Sequence, residues 1–271
     1  VQQAYLKLRI KNMKKISELI NLENKVALIT GGSRGLGFQF AEALGELGAK
    51  VVITARKEHE LYDAKSKLSE QSIDCETFTN DLQNFDQIPE LIKKILDKFS
   101  KIDVLVNNAG AAWGAPAENH PIEAWDKVMN LNLNSVFRLS KEVAVNSMIP
   151  NKYGKIINIA SIAGLVGTDP DFMPTISYNT SKGGLINFTK SLAAEWAKYK
   201  ITVNAIAPGV FPSKMSTGMI DRSHDYILNQ TPMRRLGEDF ELKGTVALLA
   251  SDLSTYITGQ TIPVDGGFSI I

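Results

Sequence analysis

The sequence predicts an α/β fold: a doubly wound parallel sheet of about seven strands with helices on both faces, in a single domain. Three observations carry this. Short β-branched runs are apolar throughout instead of alternating with polar residues, as strands covered on both faces require. After a turn, most of these runs give way to a helical stretch. From Lys25 to Ile271 there is no repeat, low-complexity linker or break in composition that would mark a second module.

Element by element, Lys25–Thr30 reads as a buried strand, Phe38–Leu47 as a helix stopped by Gly48, and Lys50–Thr54 as the second strand. Asp74–Thr79 is a third strand, Phe85–Phe99 a helix and Ile102–Val106 a fourth strand. A long helix follows from about Pro121 to Met148. Lys155–Ala160 is the fifth strand, Ser177–Tyr199 a helix and Ile201–Ala207 the sixth strand. Phe211–Arg235 reads as a long irregular substrate loop. It precedes a helix near Glu238–Ala250 and a last strand, Thr261–Val264.

Residues 1–24 read as an N-terminal extension. They carry Lys7, Arg9, Lys11, Lys14 and Lys15 but no long apolar core and no small-residue cleavage site, unlike a secretory signal or an anchor. Met13 opens a stretch that reads as a native start, so residues 1–12 are expected to be an upstream segment or an addition from cloning.

Composition narrows the class. With 44% hydrophobic and 22% charged residues, 271 residues suffice for a large core. The net charge of +1 offers no field for nucleic acid or an anionic membrane, so neither is expected as a partner. The single cysteine, Cys75, rules out an internal disulfide and reads as a small buried strand residue. His59, His120 and His224 lack metal-ligand spacing, so no metal is expected. No apolar run approaches the roughly 18 residues that span a bilayer. A soluble, cytoplasmic protein is expected.

Two constellations carry chemistry. Thr30-Gly-Gly-Ser-Arg-Gly-Leu-Gly37 lies between the first strand and its helix, where glycines let the backbone approach a pyrophosphate and the helix N-terminus favours its charge. Dinucleotide folds that select NAD place an acid about 20 residues beyond the glycines to grip the ribose 2′-hydroxyl. Here the second strand ends in Thr54, Ala55, Arg56 and Lys57, and Arg34 adds a further cation within the loop. Two guanidiniums suit a 2′-phosphate, so NADP(H) is the predicted cofactor. The second constellation is Ser161 followed by Tyr178-Asn-Thr-Ser-Lys182. On a helix, Tyr178 and Lys182 share one face. A nearby ammonium lowers a phenol's pKa, and a serine hydroxyl can hold a carbonyl oxygen, which together suit a proton-transfer task.

These motifs, in this order, resemble the short-chain dehydrogenase/reductase family from about Leu22 to Phe268, in its tetramer-forming branch. Thr30–Gly37 matches its glycine loop, Asn107-Asn-Ala-Gly110 its N-N-A-G motif, Tyr178–Lys182 its Y-x-x-S-K, and Pro208-Gly209 its P-G motif. Asn80-Asp81 is similar to the pair whose aspartate contacts adenine. The resemblance implies a Rossmann-type fold and an oxidoreductase transferring a hydride between nicotinamide and a carbonyl or secondary alcohol. It implies Tyr178 as general acid or base, Lys182 as its modulator and ribose ligand, and Ser161 as orienter of the substrate oxygen. Of Asn130, Asn132 and Asn134, the family's N-L-x-S-V-F pattern selects Asn132 as the anchor of a relay water. Cofactor contacts are implied at Gly31, Ser33, Arg34, Gly35, Leu36, Gly37, Arg56, Asp81, Leu82, Asn108, Ala109, Gly110, Tyr178, Lys182, Pro208, Gly209, Val210 and Ser213. Ser213 stands where the family has a threonine. A homotetramer or homodimer is expected on the same ground.

Ser161 and Tyr178 stand 17 positions apart, a wider spacing than is usual in the family. The extra residues, within Val166–Pro174, are expected to form a longer loop at the pocket mouth. In general layout the chain resembles 3-oxoacyl thioester reductases, with features of gluconate 5-dehydrogenase-like members. A sensor or scaffold that binds NADP(H) without turnover is the alternative of another class, and loss of a catalytic residue would favour it. All four positions are filled.

Overall fold

Seven strands pair in parallel in the order β3-β2-β1-β4-β5-β6-β7 in the computed structural model, which describes residues 14–271. The expectation for residues 1–12 lies outside them. The strands are β1 (Val26–Thr30), β2 (Lys50–Ala55), β3 (Cys75–Thr79), β4 (Val104–Asn107), β5 (Gly154–Ile159), β6 (Ile201–Pro208) and β7 (Thr261–Val264). Every residue of β1, β4, β5 and β6 is buried, which explains their largely apolar character; the polar exceptions, among them Asn107, Lys155 and Asn158, are buried too. Cys75 is buried in β3, as predicted. The chain reverses its winding direction between β1 and β4, which are hydrogen-bonded neighbours, and the carboxyl ends there open a crevice.

The helices are α1 (Ile16–Ile20), α2 (Gly35–Glu46), α3 (Glu58–Glu70), α4 (Gln87–Phe99), α5 (Ile122–Met129), α6 (Ser135–Val143), α7 (Ile149–Asn151), α8 (Ile176–Trp196), α9 (Thr217–Gln230) and α10 (Lys243–Ala250). Helix α4 shows the logic: Ile88, Leu91, Ile92 and Ile95 fall on one face and are buried, and Ser100 ends it in the left-handed region. Two large apolar clusters result, beside a small one of Ala160, Ile186, Ala205 and Ala207. One of the two holds Phe40, Leu44, Ile53 and Val246, and the other Leu28, Ile92, Leu139 and Val203.

Four findings depart from the sequence reading. Helix α3 is additional, since only Leu61, Ala64 and Leu68 are buried among many charged residues and the apolar stripe is thin. The stretch 211–235, read as irregular, contains α9; it buries only Ser223 and Ile227 and kinks at Ser223 (φ −132°), so its periodicity is weak. The last helix begins at Lys243, after a turn closed by Lys243 N–H donating to Phe240 O at 3.1 Å. The long helix near 121–148 is interrupted by π turns at Asn130–Asn134 and Ala144–Met148. The end of the N-terminal stretch is integrated into the fold: Leu22 is buried and its N–H donates to Leu47 O at 2.8 Å. Among the described residues no helix is long and apolar enough to cross a membrane.

Candidate active site

The glycine loop after β1 and the Asn107–Gly110 turn after β4 are bound together at the crevice. Thr30 Oγ1 accepts from the N–H groups of Asn108 (3.0 Å) and Ala109 (2.9 Å), and Asn108 Nδ2 donates to Thr30 O at 2.9 Å. Gly31 lies at φ +64°, where a side chain is strained. A Cβ at Gly37 would stand 2.3 Å from Gly31 O, so helix and loop touch backbone to backbone. Ser33, Gly35 and Leu36 complete this cradle, with Leu36 packed on the core beneath it. Such a bare loop at a helix N-terminus fits a pyrophosphate.

On the far side of the loop, Arg34 and Arg56 are both exposed. Arg34 Nη1 donates to Glu60 Oε1 at 2.7 Å, across from the first turn of α3. Asp81 Oδ1 accepts from Gln83 N–H at 3.0 Å, and the Leu82 side chain is buried. Thr54 Oγ1 and Asn80 Oδ1, at the carboxyl edge of β2 and just beyond β3, are buried without a partner among the described residues. A polar ligand at this edge would satisfy such groups.

Ser161, Tyr178 and Lys182 converge beyond the ends of β5. Ser161 follows β5, is buried and is extended (φ −170°), and its Oγ accepts from Ala163 N–H at 3.1 Å. Tyr178 and Lys182 lie one turn apart in α8. The Tyr178 phenol is pushed up by burial, which the nearby Ser161 hydroxyl offsets only in part. Lys182 Nζ sits 5.5 Å from the Tyr178 ring centroid and donates to Ile159 O at 2.6 Å. Burial lowers the Lys182 ammonium to about 8. The Lys182 ammonium, which the family resemblance gives the task of lowering the phenol, is turned here toward the Ile159 carbonyl.

Asn132 lies in the first π turn and is buried. Its Nδ2 donates to Ala111 O and to Ser181 Oγ, and its Oδ1 accepts from Ala111 N–H, all at 2.9 Å. The side chain therefore ties the chain after Gly110 to helix α8. Asn134 donates only to Asn130, at 2.7 Å, on the exposed side. Beyond β6, Gly209 N–H donates to Val264 O at 2.9 Å, and a Cβ at Gly209 would meet Asp265 Cα at 2.7 Å. Pro208 ends β6, and Val210 O accepts from Gly237 N–H. Ser213 faces Gly35 across the cleft, but its hydroxyl is engaged with Ser216 at 3.0 Å ahead of α9.

The wider spacing before Tyr178 is a built loop. Thr168 Oγ1 donates to Met173 O at 3.1 Å and accepts from Asn179 Nδ2 at 2.9 Å. Pro174 O accepts from Ala115 N–H at 2.8 Å, and Phe172 stacks on Tyr226 of α9 with centroids 3.5 Å apart and planes 7° apart. Asn179 thus anchors the loop beside Tyr178, a role its place in the tyrosine–lysine motif does not announce.

The chain is similar to known proteins in sequence and fold. The family described as enoyl-(acyl carrier protein) reductase matches residues 31–269. The 3-oxoacyl-[acyl-carrier-protein] reductase FabG of Vibrio cholerae is 39% identical over 93% of this chain and 100% of its own length. Gluconate 5-dehydrogenase of Gluconobacter oxydans is 33% identical, covering 93% of this chain and 98% of its own. Among solved structures, gluconate 5-dehydrogenase from Burkholderia cenocepacia in complex with NADP and tartrate superposes with a TM-score of 0.89 at 32% identity, over 95% of this chain and 100% of its own. The chain belongs to the short-chain dehydrogenase/reductase family.

Proposed function

We propose that this protein is an NADP(H)-dependent oxidoreductase that reduces a ketone to a secondary alcohol, with a 3-oxoacyl thioester or a small ketone as substrate. The observation that carries the reading is the meeting of Ser161, Tyr178 and Lys182 on one wall of the crevice, with the Lys182 ammonium 5.5 Å from the Tyr178 ring centroid. NADP(H), when bound, supplies the hydride. Gly31, Ser33, Gly35, Leu36 and Gly37 would hold its pyrophosphate end, with Arg34 and Arg56 toward the 2′-phosphate. Asp81 and Leu82 would flank the adenine. Asn108, Ala109, Gly110, Pro208, Gly209, Val210 and Ser213 would line the rest of the cleft.

Tyr178 gives its proton to the carbonyl oxygen as negative charge develops there, and the Ser161 hydroxyl orients that oxygen. Lys182 keeps a positive charge beside the phenol and offers donors to a ribose. Asn132 is a positioning residue, since its side-chain hydrogen bonds go to Ala111 and Ser181.

The similarity to FabG supports the thioester; the likeness to gluconate 5-dehydrogenases supports a sugar or polyol as the second reading. The deciding experiment is NADPH oxidation against acetoacetyl thioesters, diketones, keto-sugars and aromatic ketones. Turnover confined to keto-sugars would establish the second reading, and no turnover with any carbonyl would overturn both. The partly exposed Phe137 and Phe188, packed edge to face across α6 and α8 with centroids 6.2 Å apart, support a homotetramer or homodimer paired through these helices. Light scattering showing a monomer at micromolar concentration would refute that. The lone buried Cys75 accords with a cytoplasmic setting.

A further inference from the structure

We propose that Glu60 competes with the cofactor's 2′-phosphate for the Arg34 guanidinium, and so sets how strongly the protein prefers NADPH over NADH. This rests on the NADP(H) reading above. Arg34 precedes α2 after β1, and Glu60 lies in the first turn of α3 after β2, so the pair joins two neighbouring loops at the carboxyl edge of the sheet. Their contact is a charge-assisted hydrogen bond of 2.7 Å, and the cation best placed in the glycine loop for a phosphate already has an anion.

Lys57 Nζ stands 3.3 Å from the same Glu60 oxygen. When Arg34 turns to a phosphate, Lys57 remains to hold the carboxylate, so the exchange strands no charge. A phosphate carries more charge than a carboxylate and offers three oxygens, so it can win this contest at a cost. Burial alone would push the Glu60 carboxyl up, but the hydrogen bond from Lys57 and the charges of Arg34, Lys57 and Lys214 outweigh it and leave it below its ordinary value. The competitor therefore stays ionised at neutral pH. Arg56 has no ion pair among the described residues and is available to the phosphate without such a contest.

A cofactor with a free 2′-hydroxyl gains nothing from Arg34, so the competition weakens NADPH alone. Removing the Glu60 charge while keeping its shape is the test. Isothermal titration of 2′,5′-ADP and 5′-AMP reads the 2′-phosphate without any turnover, and NADPH and NADH serve as the full-length pair. E60Q is expected to bind 2′,5′-ADP and NADPH about fivefold tighter, the scale of a partly exposed ion pair, with 5′-AMP and NADH within about twofold of wild type. In an R34A background the same substitution should give no gain.

Unchanged or weaker 2′,5′-ADP binding by E60Q would overturn the competition; weaker binding would mean that Glu60 orients Arg34 for the phosphate. An equal gain in the R34A background would overturn it too, as a general charge effect. If neither wild type nor E60Q distinguishes 2′,5′-ADP from 5′-AMP, the NADP(H) reading falls as well. Discrimination by wild type without improvement in E60Q overturns the competition alone.

Discussion

Asn107 and Asn158 stand opposite each other at the ends of β4 and β5 and share a hydrogen bond of 2.9 Å, Nδ2 of Asn107 donating to Oδ1 of Asn158. Asn107 also donates to Ser140 Oγ at 3.0 Å, and Asn158 Nδ2 donates to Thr189 Oγ1 at 2.9 Å. This buried polar ladder runs from α6 through two strands to α8, the helix that carries Tyr178 and Lys182. Cutting it leaves donors and acceptors buried without partners. Asn158→Ala should cost about 2–4 kcal/mol in urea unfolding. A loss below about 0.5 kcal/mol would mean that the ladder is not a structural support.

The Tyr178 proton is the second target. Tyr178→Phe keeps the ring on α8 and removes the hydroxyl beside Ser161. The kcat should fall by about 100-fold or more, the scale of lost acid–base catalysis, while the Kd for NADPH holds within about twofold. Near-normal turnover by the variant would remove Tyr178 from the mechanism.

Tyr178, Lys182 and the glycine loop were legible in the sequence because local geometry fixes them: four residues on a helix share a face, and glycines cluster where strand meets helix. The alternation of buried strands made the sheet legible for the same reason. The Asn107–Asn158 ladder was not, since its members meet only through strand register and their roles depend on residues 31 to 51 positions away. Glu60 was hidden likewise, as a charge in a polar helix whose partner Arg34 lies 26 positions earlier. Helix α9 escaped because Ser223 and Ile227 are its only buried residues and no periodic stripe marks it.

Two buried lysines give the protein a pH signature. Burial holds both Lys182 and Lys155 at about 8, below their ordinary 10.5; for Lys155, Asp252 opposes the shift and Lys25 adds to it. The folded state therefore binds fewer protons than the unfolded one between about pH 8 and 10.5, and these two groups add stability as pH rises through that window. Below it, both charged forms oppose folding. Lys155→Met should accordingly gain most over wild type at pH 7 and lose that advantage by pH 10.5, read as urea midpoints. Lys155 contacts Ser254 at 3.3 Å and lies outside the crevice, so turnover should be unaffected. A midpoint difference that is the same at both pH values would show that Lys155 does not titrate in this window.

The loop at 166–174 should control which substrates enter, because it is tied to three parts of the pocket wall. Thr168 is held by Asn179 next to Tyr178, Pro174 by Ala115 after β4, and Phe172 by the face of Tyr226 on α9. The charge of Asp169 beside the Tyr226 phenol adds to burial in pushing it up, so a carboxylate of the loop lies near the helix as well as the Phe172 ring face. An aromatic pair of this kind is worth about 0.5–1.5 kcal/mol beyond its buried area, enough to bias a gate without locking it. Phe172→Ala and Tyr226→Ala should each shift KM for bulky ketones by about two- to tenfold, with NADPH affinity unchanged. Because the two rings act as one contact, the double variant should do no more than either single one. Shortening the loop to the family's usual length should reorder the substrate panel in the same direction. If the shortened enzyme keeps the wild-type ranking and the single variants keep wild-type KM values, the stacked pair is a surface connection, and selection of substrate lies deeper in the crevice.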